Sequence, residues 1–420
     1  MDATFDVAII GAGAAGLATG IFLGRKARHL HIAVLDGARR PGAKILVSGG
    51  SRCNVTNAAV TEHDFNGGRR PVVRRVLRAF PASAAVEFFR ELGVDLHEEE
   101  HGKLFPDTNR SRDVLDALLR GLASAGVPLR ADHRVHAVTR DDAGGFLLET
   151  SRGAMRCGTV VLATGGLSLP KTGSDGAGYR FARALGHAVV TTTPALVPLR
   201  FDAASAGPWH AGLSGVALPA VLRATADDRP VATITGALLW THFGISGPAA
   251  LDVSRHWLRV RQDGHAPGLR ANVLRLTFEA ADAQWLSIAS MHPRQSVTNA
   301  AATLVPAAVA AAAVAHAGID GARVLADLPR FDRRRLLHTL TDWPLPVTDS
   351  RGYDYAEVTA GGVALDEVDP GTLESRRAPG LFLVGEVLDV DGRLGGFNFQ
   401  WAWSSAYVAA GGIAATARRA

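Results

Sequence analysis

The segment DVAIIGAGAAGLATGIFLGRK, Asp6 to Lys26, restricts the fold more than any other stretch of this chain. Val7 to Ile10 is a short β-branched run of the kind that forms a buried parallel strand. Gly11, Gly13 and Gly16 follow it in the spacing G-x-G-x-x-G. Gly11 allows a tight turn, Gly13 lets backbone approach a pyrophosphate, and Gly16 lets the next helix sit against the strand. A helix from about Ala14 to Arg25 then aims its first N–H groups, including those of Ala14 and Ala15, at an anion. A second strand, His31 to Leu35, ends at Asp36, about twenty residues past the turn, where an acid accepts hydrogen bonds from ribose hydroxyls and disfavours an extra phosphate there.

A second glycine-rich segment lies far away, at GLFLVGEVLDVDGRLGGFNFQWAWSSAYVAAGG, Gly380 to Gly412. A buried strand, LFLVG, leads to Gly385 and Glu386, and Gly395-Gly396-Phe397-Asn398 opens another helix. A nucleotide fold begun at one end of a chain and completed at the other is the layout of a flavoprotein. The expected fold is therefore α/β, a discontinuous Rossmann-like FAD-binding domain with inserted β-barrel-like and small helical domains. The expected boundaries are 1–190 with 352–420 for the FAD-binding domain, 191–280 with 341–351 for the β-rich insertion, and 281–340 for the helical one.

Several runs support this division. Ser111 begins a helical segment that stops near Gly126. Short strand-like runs follow at Arg134 to Thr139, Phe146 to Thr150 and Ala154 to Cys157, and then a buried strand at Thr159 to Ala163. Beyond Thr191 prolines punctuate β-rich pieces at Ala220 to Thr225, Val231 to Thr235 and Asn272 to Phe278, with a hairpin turn at Asp227 to Pro230. The alanine-rich stretch Ala300 to Ala315 contains Pro306 and is short for a membrane span, so it reads as a buried helix.

Composition narrows the function. In 420 residues, Lys+Arg 45 against Asp+Glu 40 is a mild excess, without a basic block interleaved with aromatics, so no nucleic acid is expected as a partner. Two cysteines exclude a disulfide framework and a zinc ribbon, and no metal site is expected. The start MDATFD has no signal-peptide pattern, so the expected location is the cytoplasm, with no membrane association. The partner is a small-molecule substrate. The oligomeric state stays open.

Four segments carry candidate chemistry. In KILVSGGSRCNVTN, Lys44 to Asn57, the groups of Ser48, Gly49, Arg52 and Asn54 suit the polar edge of a flavin. A positive charge from Arg52 or Lys44 would stabilise an anionic reduced ring. Cys53 lacks a nearby partner thiol and reads as inert. At the C-terminal segment, Gly385, Glu386, Gly396, Phe397 and Asn398 are candidates, with the helix start sharing the negative charge of the reduced ring. Thr164 and Gly165, after the buried strand, and Gly361, in EVTAGGV, allow backbone to pass close to a cofactor. His242, in THFGISGPAALDVS, is a candidate proton donor. Arg52, His242 and Asn398 are thus the catalytic candidates.

Together these segments resemble the BaiN-like NAD(P)/FAD-dependent oxidoreductases. The likeness rests on GAGAAGLA, KILVSGGSRCNVTN, VLATGGLSLPKTGSDGAGY, THFGISGPAALDVS, VTAGGV and the ending from Gly385 to Gly412, which span nearly the whole chain. Ser51 and Ala406 depart from it, where the family often has glycine. The resemblance implies extended FAD, three domains, and NADH or NADPH as electron donor. It implies an oxidoreductase that passes hydride through the flavin to a small organic acceptor such as an activated C=C bond. A flavin-binding redox sensor without turnover stays open, because no second G-x-G-x-x-G is evident. An RNA-modifying flavoenzyme is disfavoured by the scattered cysteines and balanced charge. A hydrolase is disfavoured by the lack of a G-x-S-x-G elbow.

Overall fold

The computed structural model describes residues 3–141, 144–202, 207 and 209–418. The chain forms two compact units, one from Met1–Thr192 with Glu357–Ala420, the other from Thr193–Ala356.

The first unit is a Rossmann-like α/β fold. Five parallel strands run in the order Leu129–Arg130, Ile32–Leu35, Ala3–Ile10, Gly153–Leu162 and Leu381–Leu383. Phe146–Thr150 pairs antiparallel with the first half of Gly153–Leu162, and Val135–Arg140 extends that ribbon. The strand near the C-terminus thus enters the same sheet as the first strand, which makes the domain discontinuous. Helix Ala14–Lys26 packs on helix Phe397–Ala417, the two that follow the glycine turns. The central strands are buried on both faces, which is why they read as continuous apolar runs.

Two expected strands, Ala154 to Cys157 and Thr159 to Ala163, are one strand, Gly153–Leu162. Its register against Ala3–Ile10 runs from Met155 to Leu162, so Gly158 interrupts nothing. A glycine in a strand reads as a break in sequence, but extended backbone is open to it as to any residue.

The second unit holds a seven-stranded antiparallel sheet. The order is Trp343–Pro344, Pro267–Asn272, Ala217–Ala226, Arg229–Thr241, Gly244–Ser246, Leu199–Phe201 and Val347–Ser350. Six strand gaps at about 4.8 Å make a flat sheet of this kind roughly 29 Å wide. Yet the two edge strands are separated only by Leu345 and Pro346, a chain reach of about 11 Å. The sheet must therefore curl into a barrel-like shape. Asp227 and Asp228, with φ of 47° and 63°, form the expected hairpin turn.

The expected strand Asn272 to Phe278 is replaced by two other elements. The strand is Pro267–Asn272, and helix Phe278–Met291 begins where the strand was to end. Thr277 caps that helix by accepting the Ala280 N–H at 3.3 Å, and Asn272 Oδ1 accepts the Arg275 N–H at 2.6 Å, turning the chain. These local side-chain bonds outweigh the alternating apolar pattern. The alanine-rich stretch is two helices, Val297–Ala301 and Ala307–His316, divided by Pro306, which has no N–H to continue the first. Helix Pro248–Gln262, which the candidate segment THFGISGPAALDVS enters, carries Pro248 in its first turn. The barrel-like and helical segments share one hydrophobic cluster. Among the described residues no helix is long and apolar enough to cross a membrane.

Candidate functional site

The first glycine turn divides into positions that the protein explains and one that it does not. A Cβ on Gly11, whose φ is +105°, would lie 2.4 Å from the Ala163 carbonyl oxygen. A Cβ on Gly16 would lie 1.8 Å from the Gly11 oxygen. Both glycines are required by close packing of strand, turn and helix. Gly13 has a φ of −82°, and a Cβ there would meet nothing within 4 Å. The protein itself has no steric use for glycine at this position, whereas a ligand lying against the turn would. Helix Ala14–Lys26 has no side-chain cap and no acid in its first turn, leaving its N–H groups for an anion. Asp36 sits beside this turn: Oδ2 accepts the Ala12 N–H at 2.7 Å and Oδ1 accepts that of Ala38 at 2.8 Å.

The C-terminal segment closes onto the same place. Gly385 has a φ of +71°, and a Cβ there would lie 2.8 Å from the Ala15 Cβ. Its N–H donates to Ser405 Oγ at 2.9 Å and its carbonyl accepts the Trp401 indole N–H at 3.2 Å. Gly396, φ +93°, opens helix Phe397–Ala417, again with no side-chain cap and no first-turn acid. A Cβ on Gly396 would lie 2.4 Å from the Thr56 oxygen and 2.9 Å from Asn54 Oδ1. The loop of Lys44 to Asn57 is clamped here: Thr56 Oγ1 donates to Gln400 Oε1 at 2.6 Å, and Trp403 Nε1 donates to the Val55 carbonyl at 2.9 Å. Asn54 Oδ1 is buried without a hydrogen-bond partner. An orphaned acceptor costs stability unless something donates to it, and here it lies beside a capless helix start.

Lys44 and Glu386 meet in a polar cluster. The Lys44 ammonium donates to Glu386 Oε2 at 2.6 Å and to Ser168 Oγ at 2.5 Å. Glu386 Oε1 accepts from Ser168 Oγ at 2.8 Å and from the Thr359 N–H at 3.0 Å. Thr359 Oγ1 in turn accepts the N–H groups of Leu167 and Ser168. Ser168 and Thr359 were not singled out in sequence. Each lies two residues from a quoted glycine pair, and only the fold reveals Ser168 as a partner of Lys44 and Thr359 as a partner of Glu386.

The remaining candidates are distributed unevenly. Gly165 has a φ of +71° and its missing Cβ makes room for Ser174 Oγ, while Thr164 precedes it just past the C-terminal end of strand Gly153–Leu162. Gly361, φ +91°, lies in the fully buried strand Val358–Val363. Gly49, φ +55°, kinks the loop after Ser48, whose Oγ donates to the Ile45 carbonyl at 2.7 Å. Phe397 is buried. Arg52 is turned to a different partner: it donates to Glu99 Oε1 at 2.5 Å and to Asn109 Oδ1 at 3.3 Å, and stacks 4.0 Å over the Phe105 ring. Its hydrogen bond holds the Glu99 carboxyl below the usual range, with His97 adding to the effect. The Asn398 amide braces the turn before its helix, accepting the Gly392 N–H at 2.8 Å and donating to the Gly392 carbonyl at 2.9 Å. Only its main-chain N–H is left for a ligand. His242 lies in the other unit, exposed on the hairpin turn before Gly244–Ser246, with a ring contact to Phe243 at 5.1 Å. Cys53 is fully buried, and burial pushes its thiol up to about 12. Among the described residues no cluster of His, Cys, Asp or Glu is suited to a metal ion.

Residues 5–412 match the family model described as the HI0933-like protein Rossmann domain. The ribosomal RNA dihydrouridine synthase of Escherichia coli (strain K12) is 34% identical over 414 residues, covering 97% of each chain. The 3-dehydro-bile acid delta(4,6)-reductase of Clostridium scindens is 32% identical over 407 residues, covering 96% of this chain and 97% of the other. Among solved structures, a 3-ketosteroid delta1-dehydrogenase from Sterolibacterium denitrificans aligns with a TM-score of 0.51 at 13% identity. That alignment covers 98% of this chain and 100% of the other, a likeness of fold.

Proposed function

The chain belongs to the HI0933-like Rossmann family, and from that premise we propose that it is a flavin-dependent reductase acting on a C=C bond conjugated with a carbonyl. The observation that carries the reading is the paired glycine turn. Gly13 is open where nothing in the protein needs it, and Gly396 opens a second capless helix beside the orphaned Asn54 Oδ1. Two helix starts and an unused acceptor suit a ligand with a pyrophosphate at one end and a ring with both donors and acceptors at the other, as FAD has. Bound there, FAD supplies hydride transfer between a nicotinamide donor, NADH or NADPH, and an acceptor carbon.

The residues have distinct roles in this reading. Gly11, Gly13, Ala14, Ala15 and Gly16 hold the pyrophosphate, and Asp36 the adenosine ribose. Asn54, Gly385, Gly396 and the main-chain N–H groups at Phe397 and Asn398 face the flavin, and the helix dipole shares the negative charge of its reduced form. The Lys44–Glu386–Ser168 cluster fixes the loop that carries Asn54. Arg52, paired with Glu99, supports that loop from outside and does not supply the charge at the ring. The proton donor to the second carbon is unassigned, and His242 remains a candidate to be tested by substitution.

The two relatives reported above are named for a modified RNA base and for a steroid. Uracil and a 3-oxo steroid share a C=C bond conjugated with a carbonyl, so one hydride-plus-proton addition serves both. We favour uracil in RNA for this chain. From sequence alone nucleic acid is not expected, since charge is nearly balanced and no basic block is interleaved with aromatics; the choice of RNA rests on the likeness to the dihydrouridine synthase.

The test is an anaerobic titration of purified protein with NADH and NADPH, following the visible flavin band. The reduced protein is then mixed with unmodified ribosomal RNA or with a steroid enone. Bleaching by nicotinamide and gain of two hydrogens by uridine, read by mass spectrometry of nucleosides, is the expected result. A colourless protein that FAD cannot reconstitute would overturn the flavin reading. Reoxidation by the steroid enone but not by RNA would overturn the choice of substrate.

A further inference from the structure

The stretch from Phe65 to Val86 contains five arginines, Arg69, Arg70, Arg74, Arg75 and Arg78, and no acid. In the structure it forms helix Arg70–Ala79 with Arg69 as its N-cap. Val73, Val76 and Leu77 are buried, and all five arginines are exposed. Two of them are paired. Arg74 Nη2 lies 2.6 Å from Glu62, and Arg69 lies 3.1 Å from Asp366 in a pair so exposed that solvent screens it. Arg70, Arg75 and Arg78 have no carboxylate partner among the described residues.

This helix is attached to the candidate site. The strand leading into it, Phe65–Gly67, pairs antiparallel with Val390–Gly392. The Gly68 N–H donates to the Asp389 carbonyl at 2.7 Å. Gly392 is the residue braced by Asn398, so the same β-ribbon carries the glycine turn on one side and the arginine helix on the other. Arg393 extends the positive surface between them: it is half-exposed, stacks 4.1 Å over Phe397, and lies 2.7 Å from Asp64.

We propose that the exposed face of helix Arg70–Ala79 docks the phosphate backbone of an RNA substrate through Arg70, Arg75 and Arg78, beside the site that would receive its base. This rests on the reading that uracil in RNA is the acceptor. Two observations favour RNA over other anionic partners. The apolar face of the helix is used up against helix Phe397–Ala417, so no hydrophobic stripe is left to enter a lipid headgroup region. The charge also spreads about 12 Å along one helix, from Arg70 to Arg78, which suits several successive phosphates better than one compact anion. Phosphate contacts of this kind fix orientation and leave sequence choice to the base pocket.

The test uses the full-length FAD-loaded protein and a fluorescein-labelled single-stranded RNA containing uridine, with binding read by anisotropy over a range of salt. The triple variant Arg70→Gln, Arg75→Gln, Arg78→Gln is expected to bind about a hundred-fold more weakly near ~0.1 M salt. Its log–log salt slope is expected to fall by about 2, from three lost contacts at ~0.7 each. Flavin reduction by nicotinamide is expected to be unchanged, which shows that the fold and the cofactor site survive. The triple Arg→Lys variant keeps the charge and is expected to keep the slope. If the native protein binds the RNA and the Gln variant matches it in affinity and slope, the docking role is overturned while the substrate reading stands. If the native protein neither binds RNA nor reduces its uridine, the substrate reading fails and the docking role with it. Native binding to phosphatidylserine vesicles that the Gln variant loses, with no native binding to RNA, would overturn RNA in favour of a membrane surface.

Discussion

Replacing Gly13 by alanine should separate ligand binding from stability. The backbone there, φ −82° and ψ −167°, is open to alanine, and the added Cβ meets nothing within 4 Å. Two small effects oppose each other. Alanine lowers the entropy of the unfolded chain, a gain of about 0.4–1 kcal/mol, while at a helix N-cap it is worse than glycine by a similar amount. The ligand-free protein should therefore melt within ~1 kcal/mol of the original. The bound state is different, because the Cβ occupies the surface that a pyrophosphate must approach. Two charge-assisted hydrogen bonds at about 1.5–3 kcal/mol each are put at risk, and a loss of ~2.7 kcal/mol already weakens binding a hundred-fold. Gly16→Ala is the contrasting variant: its Cβ would lie 1.8 Å from the Gly11 oxygen, so the helix must leave the strand. It should destabilise even the ligand-free protein by roughly 3 kcal/mol or more. The assay is a thermal melt of flavin-stripped protein together with a fluorescence titration of FAD. A Gly13→Ala protein that binds FAD with undiminished affinity would refute the claim that this glycine serves the ligand.

Three further outcomes are expected. Lys44→Met should cost roughly 1–3 kcal/mol in urea unfolding, since it strands a mostly buried Glu386, and the double variant with Glu386→Gln should cost less than the sum of the two singles. Native Cys53 should resist iodoacetamide at mildly alkaline pH and Cys53→Ala should keep flavin reduction, because burial holds the thiol protonated; rapid modification of the folded protein would contradict this. His187 and Glu367, 2.9 Å apart, should make the fold acid-sensitive. Burial lowers the His187 pKa from 6.5 despite Glu367. Burial tends to raise that of Glu367, but the Ala188 N–H, His187 and Arg377 together hold it below 4.5. Both shifts mean that the unfolded chain binds more protons, so stability is lost as pH falls through 6.5 and then through 4.5. His187→Gln should flatten the dependence of urea midpoint on pH between about pH 7 and about pH 5.

The legible parts of this molecule were those in which one residue type has one physical use. Gly11, Gly16 and Gly385 are where backbone meets backbone or a helix start, and glycine spacing announces them. Strands buried on both faces are equally plain, since nothing but apolar residues can occupy them. Less legible were polar side chains with several possible partners. Arg52 has the right charge in the right loop, yet Glu99 and the Phe105 ring claim it, from a strand pair some fifty residues on. Asn398 stands at a helix start, but its amide closes a ring with Gly392. Thr277 was hidden inside an alternating apolar run that only its cap identifies as a helix start. The arginine helix was not read as a nucleic-acid contact because aromatics do not interleave its basic run and the net charge of +5 is mild, whereas a phosphate responds to the few side chains within a screening length.

The union of the first strand and the late strand Leu381–Leu383 in one sheet has a consequence for how the protein is made. Leu381–Leu383 pairs with Gly153–Leu162, and Gly385 seals the start of helix Ala14–Lys26. A ribosome adding about 5–20 residues per second needs roughly 20–75 s to pass from Asp36 to Gly412. Through that interval the first glycine turn is exposed with its cofactor cradle half-built. FAD capture thus waits for Gly385 and Gly396 to be made, and a chain cut before Gly396 should emerge colourless. Without FAD the two capless helix starts and Asn54 Oδ1 stay without a ligand, so the flavin-free protein should be the more readily proteolysed form.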